Sequence, residues 1–212
     1  MPGLTNMNIV LATANPCKLR EFQQILEATD FTIVPQAAFG GCPDIVEDGA
    51  SFEENALKKA RSIAGHTGCV AMADDSGLEV DALNGEPGIY SARFAGEPRS
   101  DGRNIALLLE RMLGVPPERR GAQFRCVIAV VAPGGREFTV QGLCRGRITE
   151  APAGSGGFGY DPVFLHEPSG RTFSELSSRE KNSLSHRGRA VAALRAILPG
   201  FLKSLPSGAT RH

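Results

Sequence analysis

Short apolar runs and helical repeats of apolar residues alternate along the first half of the chain. Apolar runs at residues 8–12, 32–35 and 70–73 predict buried strands. Apolar residues at helical spacing predict amphipathic helices at residues 16–27, 51–65 and 101–113. Asn15 suits the N-cap of the first helix and Pro16 its first turn, so we expect a strand, a tight turn and a helix in direct succession.

Hairpins are more prominent in the second half. Two runs at residues 124–132 and 137–144 flank a Pro-Gly-Gly turn and predict a hairpin. A glycine-rich loop follows at residues 152–159, and a last helix is predicted at residues 185–198, where Pro199 stops it. Strands that alternate with helices and then form hairpins favour an α/β fold with a mixed sheet. We expect a single domain over residues 1–200 and a frayed C-terminal tail over residues 201–212.

Charge, hydropathy and cysteine content limit the classes of protein to consider. The 212 residues carry 23 Lys and Arg against 23 Asp and Glu, so the chain lacks the positive field that attracts nucleic-acid polymers. No stretch of about 18 apolar residues occurs, so we expect neither a spanning helix nor a membrane partner. The five cysteines are odd in number and widely spaced, which favours free thiols and a cytoplasmic protein.

The turn after the first strand has the features of a phosphate-binding site. A helix that begins there points backbone N–H groups and the positive end of its dipole towards an anion. Lys18 and Arg20 lie in its first turns, where a cation opposes the dipole, and a bound polyphosphate would remove that conflict. The alternative is an exposed lysine on an ordinary capped helix. The candidate residues are Thr13, Ala14, Asn15, Pro16, Cys17 and Lys18.

Acidic residues gather at two places that could hold a magnesium ion. Glu47 and Asp48 precede the second helix, and Asp74 and Asp75 end the third strand. Mg²⁺ takes carboxylate oxygens and shares them with substrate phosphates. Because neighbouring strand residues point to opposite faces, we expect Asp74 and Asp75 not to reach the same ion unless the strand has already ended. The alternative for this pair is a plain turn.

Two further segments could surround a flat ring that bears a carbonyl group. The loop at residues 154–159 fits Gly-x-Gly-x-x-Gly, but it lacks the strand and helix of a dinucleotide site. We expect it instead to bring Phe158 or Tyr160 against a ring, with Asp161 as a polar contact. The segment at residues 181–187 begins another helix, where its histidine and arginine could donate hydrogen bonds to a carbonyl or phosphate. The alternatives are a simple glycine turn and a solvated basic patch.

Taken together, these motifs resemble those of a known family, the inosine/xanthosine triphosphatases (ITPase/XTPase), which are pyrophosphatases of non-standard purine nucleoside triphosphates. Six stretches match in the family's order and span most of the chain. They are LATANPCK at residues 11–18, EDGASFEENA at 47–56, ADDSGLEV at 73–80, GEPGIYSARFAG at 85–96, GGFGYDPVF at 156–164 and EKNSLSHR at 180–187.

The resemblance implies a magnesium-dependent hydrolase that converts ITP, dITP and XTP to the monophosphate and pyrophosphate and so removes them from the nucleotide pool. It also implies an elongated, two-lobed α/β fold with a central mixed β-sheet flanked by helices, a cleft between the lobes and a homodimer. The alternatives are a nucleotide pyrophosphatase of other base preference and a nucleotide-binding regulator that does not hydrolyse its ligand.

The resemblance also assigns roles to residues. Asp75 is then the catalytic base and a metal ligand, Glu47 is the second carboxylate for Mg²⁺, and the loop from Thr13 to Lys18 binds phosphate. Ala14 and Cys17 stand where the family often has glycine, and both are small enough for the loop to keep its geometry. The residues that would contact the rest of the substrate are Ser76, Phe158, Gly159, Tyr160, Asp161, Lys181, His186 and Arg187.

Overall fold

A computed structural model of the protein describes residues 7–27 and 31–206. The helices there are α1 (Pro16–Leu26), α2 (Phe52–Thr67), α3 (Asp101–Arg111), α4 (Ser178–Leu184) and α5 (His186–Lys203). The strands are β1 (Met7–Leu11), β2 (Phe31–Pro35), β3 (Ala71–Val80), β4 (Gly121–Val131), β5 (Glu137–Ile148), β6 (Phe164–His166) and β7 (Arg171–Thr172). Over these residues, no helix combines the length and the apolar character that crossing a membrane requires.

The strands form one mixed sheet in the order β2-β1-β3-β4-β5-β6-β7. β1 pairs in parallel with β2 and with β3, whereas β6 pairs antiparallel with β5 and with β7. The parallel strands β1, β2 and β3 are connected through helices, as parallel pairing requires. The prediction of an α/β fold with a mixed sheet and flanking helices is confirmed.

Local capping explains where the first two helices begin. The Asn15 side chain accepts hydrogen bonds from the backbone N–H groups of Cys17 and Lys18, and Pro16 is the first residue of α1. Ser51 caps α2 in the same way by accepting from the N–H of Glu54 at 3.1 Å. Side-chain acceptors at this position satisfy N–H groups that have no partner within the helix, which fixes the start.

The third strand is longer than its sequence predicts. The apolar run ends at Ala73, but β3 continues through Asp74 and Asp75 to Val80. The polar stretch is not a turn, because both aspartates are buried and paired with lysines. Further along the same strand, Leu78 and Val80 lie in a hydrophobic core. The expectation that Asp75 ends a strand is therefore wrong, and its backbone is held by a sheet.

The last helix is also longer than predicted. α5 continues through Pro199 to Lys203, because Leu198 and Leu202 are both buried on one helical face four residues apart. The beginning of the predicted frayed tail is therefore helical, and its residues 207–212 lie outside the described part of the chain.

The chain divides into two compact units. Of the described residues, unit 1 contains those up to Asp75, Val127–Gln141 and those from Ala190 onward, and unit 2 contains Ser76–Cys126 and Gly142–Arg189. In unit 1, α1 buries Phe22 and Leu26. Unit 2 has an aromatic core of its own, formed by Tyr160, Phe124, Phe164 and Phe173 with aliphatic neighbours. The single domain over residues 1–200 stays a prediction.

Candidate active site

In unit 1, the predicted phosphate loop lies between β1 and α1. The N–H of Asn15 donates to Thr13 Oγ1 at 3.2 Å, and Asn15 Oδ1 accepts from Cys17 and Lys18 at 2.9 and 3.2 Å. Ala14 and Asn15 are exposed. Because Asn15 already occupies two N–H groups of the first turn, an anion here would be bound mainly by the ammonium of Lys18 and the hydroxyl of Thr13.

The lysine of this loop is held by a buried carboxylate. Lys18 Nζ lies 2.9 Å from Asp74 Oδ2, and the Asp74 side chain is fully buried, whereas that of Lys18 is 17% exposed. The ion pair therefore fixes the position of the ammonium, while the Lys18 side chain as a whole stays partly open to solvent. It also explains how a cation is tolerated near the positive end of a helix dipole.

The two carboxylates predicted to hold metal converge on a second lysine. Lys59 Nζ lies 2.6 Å from Glu47 Oε1 and 3.0 Å from Asp75 Oδ1. Asp75 and Lys59 are both buried, so these charges attract each other across a poorly solvated space. The structure thus brings Glu47 and Asp75 to the same point in unit 1.

An asparagine connects the aspartate with the loop that carries Glu47. Asn55 Nδ2 donates to Asp75 Oδ2 at 3.2 Å, and Asn55 Oδ1 accepts from the N–H of Gly49 at 2.8 Å. A Cβ at Gly49 would stand 2.7 Å from that Oδ1 atom, so the close approach requires glycine. Asn55 therefore orients one oxygen of Asp75 and positions the segment that follows Glu47.

Burial and charge shift the two central groups in this cluster. Burial raises the pKa of Asp75 above its ordinary value, and this effect outweighs the lowering by Lys59 and Lys18. Burial by itself would lower the pKa of Lys59, but Asp75, Asp74 and Glu47 together raise it above its ordinary value. Lys59 is thus a stable cation that is surrounded by carboxylates.

The donor set fits a magnesium ion in its chemistry. Among residues 7–27 and 31–206, no group of three or more His, Cys, Asp or Glu side chains is arranged to hold a metal. Mg²⁺ does not require one, because it keeps several waters and commonly uses one or two carboxylates together with substrate phosphates. Glu47 and Asp75 already share one cation, the Lys59 ammonium, and the same two oxygens are suitable ligands for a divalent ion.

In unit 2, the second predicted site forms around a buried ion pair. Lys181 Nζ lies 2.5 Å from Asp161 Oδ2, and their side chains are 6% and 3% exposed. The same Asp161 oxygen accepts from the N–H of Phe158 at 2.8 Å. The Phe158 ring is partly exposed, with Lys181 Nζ 4.6 Å and the Arg187 guanidinium carbon 5.8 Å from its centroid. This arrangement presents an aromatic face supported by two cations.

Of the other unit 2 candidates, Arg187 and Ser76 contact each other, whereas His186 and Tyr160 pack into the interior. Arg187 is buried and donates from Nη2 to Ser76 Oγ at 3.3 Å, so these two lie together. His186 is buried against Phe124, with ring centroids 4.7 Å apart and planes 14° apart. Tyr160 is part of the core and donates to the carbonyl of Ser91 at 2.9 Å. Of the two aromatic candidates for stacking, Phe158 is therefore the more accessible.

Sequence reasoning missed Lys59 and Asn55, which complete the acidic cluster. Both lie on α2, four residues apart, on the face that also buries Ala56, Ala60 and Ile63. Polar residues at apolar-face positions of an amphipathic helix are the signal that could have identified them. The two acids in the first turn of α2, by contrast, have structural partners. Glu54 accepts from the N–H of Ala50 at 2.8 Å, and Glu53 accepts from the hydroxyl of Thr139 at 2.7 Å.

Known proteins are similar to this chain in sequence and in fold. A curated relative from Geobacter sulfurreducens, named dITP/XTP pyrophosphatase, is 51% identical over 187 residues, which are 88% of this chain and 94% of the relative. A HAM1 protein from Coxiella burnetii has a similar structure, with a TM-score of 0.83 and 41% sequence identity. The match covers 92% of this chain and 99% of that protein. A nucleoside-triphosphatase / dITP/XTP pyrophosphatase from Mycobacterium abscessus matches this chain with a TM-score of 0.73 and 48% sequence identity. The match covers 89% of this chain and 98% of that protein.

A sequence model of the Ham1 family matches residues 9–197. This range contains β1, the loop before α1, the aspartates of β3, and the segments of unit 2 that carry Phe158 and Arg187. The relatives are matched over almost their whole length as well. From sequence and fold alike, the chain belongs to the Ham1 family.

Proposed function

We propose that this protein hydrolyses dITP, ITP and XTP to the monophosphate and pyrophosphate, and thereby removes these nucleotides from the cellular pool. The observation that carries the proposal is the convergence of Glu47 and Asp75 on one buried cation, in the unit that also holds Lys18. The curated relatives named dITP/XTP pyrophosphatase support the choice of substrate class.

In this mechanism the residues of unit 1 bind the phosphates and activate the water. Lys18 binds a phosphate oxygen while Asp74 holds its ammonium in place. Asp75 orients the attacking water and takes its proton, since Lys59 and Asn55 fix its two oxygens. Mg²⁺ held by Glu47 and Asp75 would neutralise charge that develops on the phosphate oxygens. Water, triphosphate and Asp75 thus give monophosphate, pyrophosphate and a proton on the carboxyl group.

The base is selected by the direction of its hydrogen bonds. Hypoxanthine and xanthine present an accepting carbonyl at position 6, whereas adenine presents a donating amine there. The Arg187 guanidinium is a donor, so an adenine amine placed against it would meet a donor where it needs an acceptor. A site that leaves buried polar groups unpaired in this way can discriminate by about 10⁴-fold or more.

The decisive experiment is a substrate panel. Purified protein is incubated with dITP, ITP, XTP, dGTP, ATP and modified pyrimidine triphosphates in the presence of Mg²⁺, and released pyrophosphate is measured. We expect fast release from the first three only. Preference for another base would favour a related pyrophosphatase, and tight binding of ITP without release would favour a regulator that senses the nucleotide.

Removal of divalent ions should abolish the activity. Incubation with excess EDTA is expected to lower pyrophosphate release from dITP to background, because Glu47 and Asp75 then share only the Lys59 ammonium. Activity should return when MgCl₂ is added above the chelator concentration. Full turnover in EDTA would contradict the metal assignment.

Replacing Lys18 by Ala should weaken substrate binding more than it slows the chemical step. Loss of a charge-assisted contact to phosphate predicts a KM for dITP raised by about tenfold or more, with a smaller change in kcat. Because the change leaves Asp74 buried without its ammonium, the double variant Lys18→Ala/Asp74→Asn is the matched control for folding. Unchanged kinetics in both variants would mean that Lys18 is only a structural partner of Asp74.

We also propose that the protein acts in the cytoplasm as a homodimer, without a nucleic-acid polymer or membrane partner. The net charge of zero supports the absence of a polymer partner. Light scattering on the purified protein tests the oligomeric state, and a mass of one chain would contradict it.

A further inference from the structure

The glycine-rich loop before Tyr160 is held firmly despite its composition. Gly156 forms two hydrogen bonds with Ser174, because its N–H donates to the Ser174 carbonyl at 3.0 Å and its own carbonyl accepts from Ser174 Oγ at 2.6 Å. A Cβ at Gly154 would meet the Ser174 backbone at 2.6 Å, so the loop lies tightly against that residue. One end of the loop is therefore anchored.

The other end is held by two carboxylates on successive amides. The N–H of Phe158 donates to Asp161 Oδ2 at 2.8 Å, and the N–H of Gly159 donates to Asp101 Oδ2 at 2.7 Å. Gly157 and Gly159 have φ angles of +74° and +61°, which a residue with a Cβ rarely adopts. The backbone on both sides of the Phe158 side chain is thus fixed by a charge-assisted hydrogen bond.

The Asp101 carboxylate comes from outside the loop. Asp101 is the first residue of α3, and Ser100 caps this helix by accepting from the N–H of Arg103. Asn104 lies three residues later and therefore on the same helical face, where it donates to the carbonyl of Ser91 at 3.3 Å. That carbonyl also accepts from the hydroxyl of Tyr160. The start of α3 therefore supports Gly159 directly, through Asp101, and Tyr160 indirectly, through the carbonyl of Ser91.

The Asp101 side chain is exposed, so it contributes to the loop through its hydrogen bond and not through packing in the core. Asp161, the other carboxylate, is already engaged by Lys181 through the oxygen that accepts from Phe158. Without Asp101, the Gly159 amide would lose its acceptor, and a segment rich in glycine gains much conformational entropy when it is released. The position of the Phe158 ring would then be shared among several loop conformations.

We propose that Asp101 is a positioning residue that holds the Phe158 ring ready to stack on the purine base. This inference rests on the proposed function, because it takes the base as the ligand of Phe158. A ring that is held before the substrate arrives costs less ordering entropy on binding, so Asp101 strengthens binding of the base without contacting it. Its effect belongs to KM, since the hydrolytic residues are those of unit 1.

Replacing Asp101 by Ala should raise the KM for dITP by about tenfold, the loss expected for one charge-assisted hydrogen bond, and change kcat by less than about twofold. Asp101→Asn keeps an oxygen that can accept from the Gly159 N–H, and its KM should return most of the way to the wild-type value. Both variants lose the negative charge at the start of α3. A change in KM that is equal in both therefore comes from the lost helix charge and not from the lost hydrogen bond to the loop. Glu110→Ala removes an exposed acid near the other end of α3 and serves as the control.

Loop order can be measured without turnover. The chain has no tryptophan, so Phe158→Trp introduces a single fluorescent reporter into the loop. In the absence of nucleotide, its fluorescence anisotropy should fall when Asp101→Ala is added and stay high with Asp101→Asn. This readout tests the fixing of the loop even if the wild-type protein proves not to hydrolyse dITP, a result that would refute only the proposed function.

Three results would overturn the inference. One is a KM for dITP in Asp101→Ala that equals that of wild type. Another is Asn and Ala variants that are impaired equally, because the effect would then come from the helix charge. The last is unchanged anisotropy of the loop reporter in the Asp101→Ala background, since the loop would then be ordered by its other contacts alone.

Discussion

Asp75→Asn should lower kcat for dITP by about 10²–10⁴-fold, the range that a positioned general base contributes. The amide keeps the size of the carboxyl group and can still contact Asn55, but it cannot take a proton and is a weak ligand for Mg²⁺. The variant should fold, because Lys59 keeps Glu47 at 2.6 Å as a counter-charge. Steady-state pyrophosphate release gives kcat, and thermal unfolding checks the fold.

The matched control for this variant is Asp48→Asn. Asp48 follows Glu47 directly, but its side chain is 64% exposed and pairs with Lys58. We expect kinetics close to those of wild type, because exposed ion pairs contribute little and Asp48 does not contact Asp75 or Lys59 in the cluster described above. If Asp75→Asn folds and keeps more than about a tenth of the wild-type kcat, Asp75 is not the base.

Lys181→Met should lower the free energy of unfolding by about 3–5 kcal/mol, the cost of leaving one charge of a buried pair without its partner. Lys181 and Asp161 are 6% and 3% exposed, so the remaining carboxylate would lie in a poorly solvated place. The N–H of Phe158 would still donate to that carboxylate, but the cation over the Phe158 ring would be gone. Denaturant unfolding measures the change.

An exposed pair of the same length isolates the effect of burial. Lys58 Nζ and Asp48 Oδ1 are also 2.5 Å apart, but their side chains are 44% and 64% exposed. Lys58→Met should therefore lower the free energy of unfolding far less than Lys181→Met. Adding Asp161→Asn to Lys181→Met should recover part of the loss, because neither side chain of the pair then carries a charge. Equal costs for the two lysine variants would show that burial does not govern the pair at Lys181.

Much of the fold was accessible from periodicity and capping. The start of α1 follows from Asn15 and Pro16, and the hairpin of β4 and β5 follows from two apolar runs around a Pro-Gly-Gly turn. These are local properties, which a sequence records within a few residues. The errors occurred where tertiary partners override local preference. Asp75 continues a strand because Lys59 neutralises it, and no local rule reports a partner sixteen positions away.

The candidate site was predictable in its residue types and less so in its connections. The alternation of side chains along a strand predicted opposite faces for Asp74 and Asp75, and they do contact different lysines, Lys18 and Lys59. The sequence could not show that Lys59 joins Glu47 to Asp75, or that Tyr160 turns into the core while Phe158 stays accessible. Such facts depend on which residues meet in three dimensions.

The continuity of β3 makes the chain sensitive to length at this point. β1 fixes the strand through the pairs Val10 with Ala71 and Leu11 with Met72, so each later position is assigned to a face by counting alone. A single inserted or deleted residue between Met72 and Asp74 would move each aspartate to the opposite face of the strand, away from the lysine that it now pairs with. A point substitution nearby alters one side chain, whereas a register shift of one residue would break both ion pairs at once.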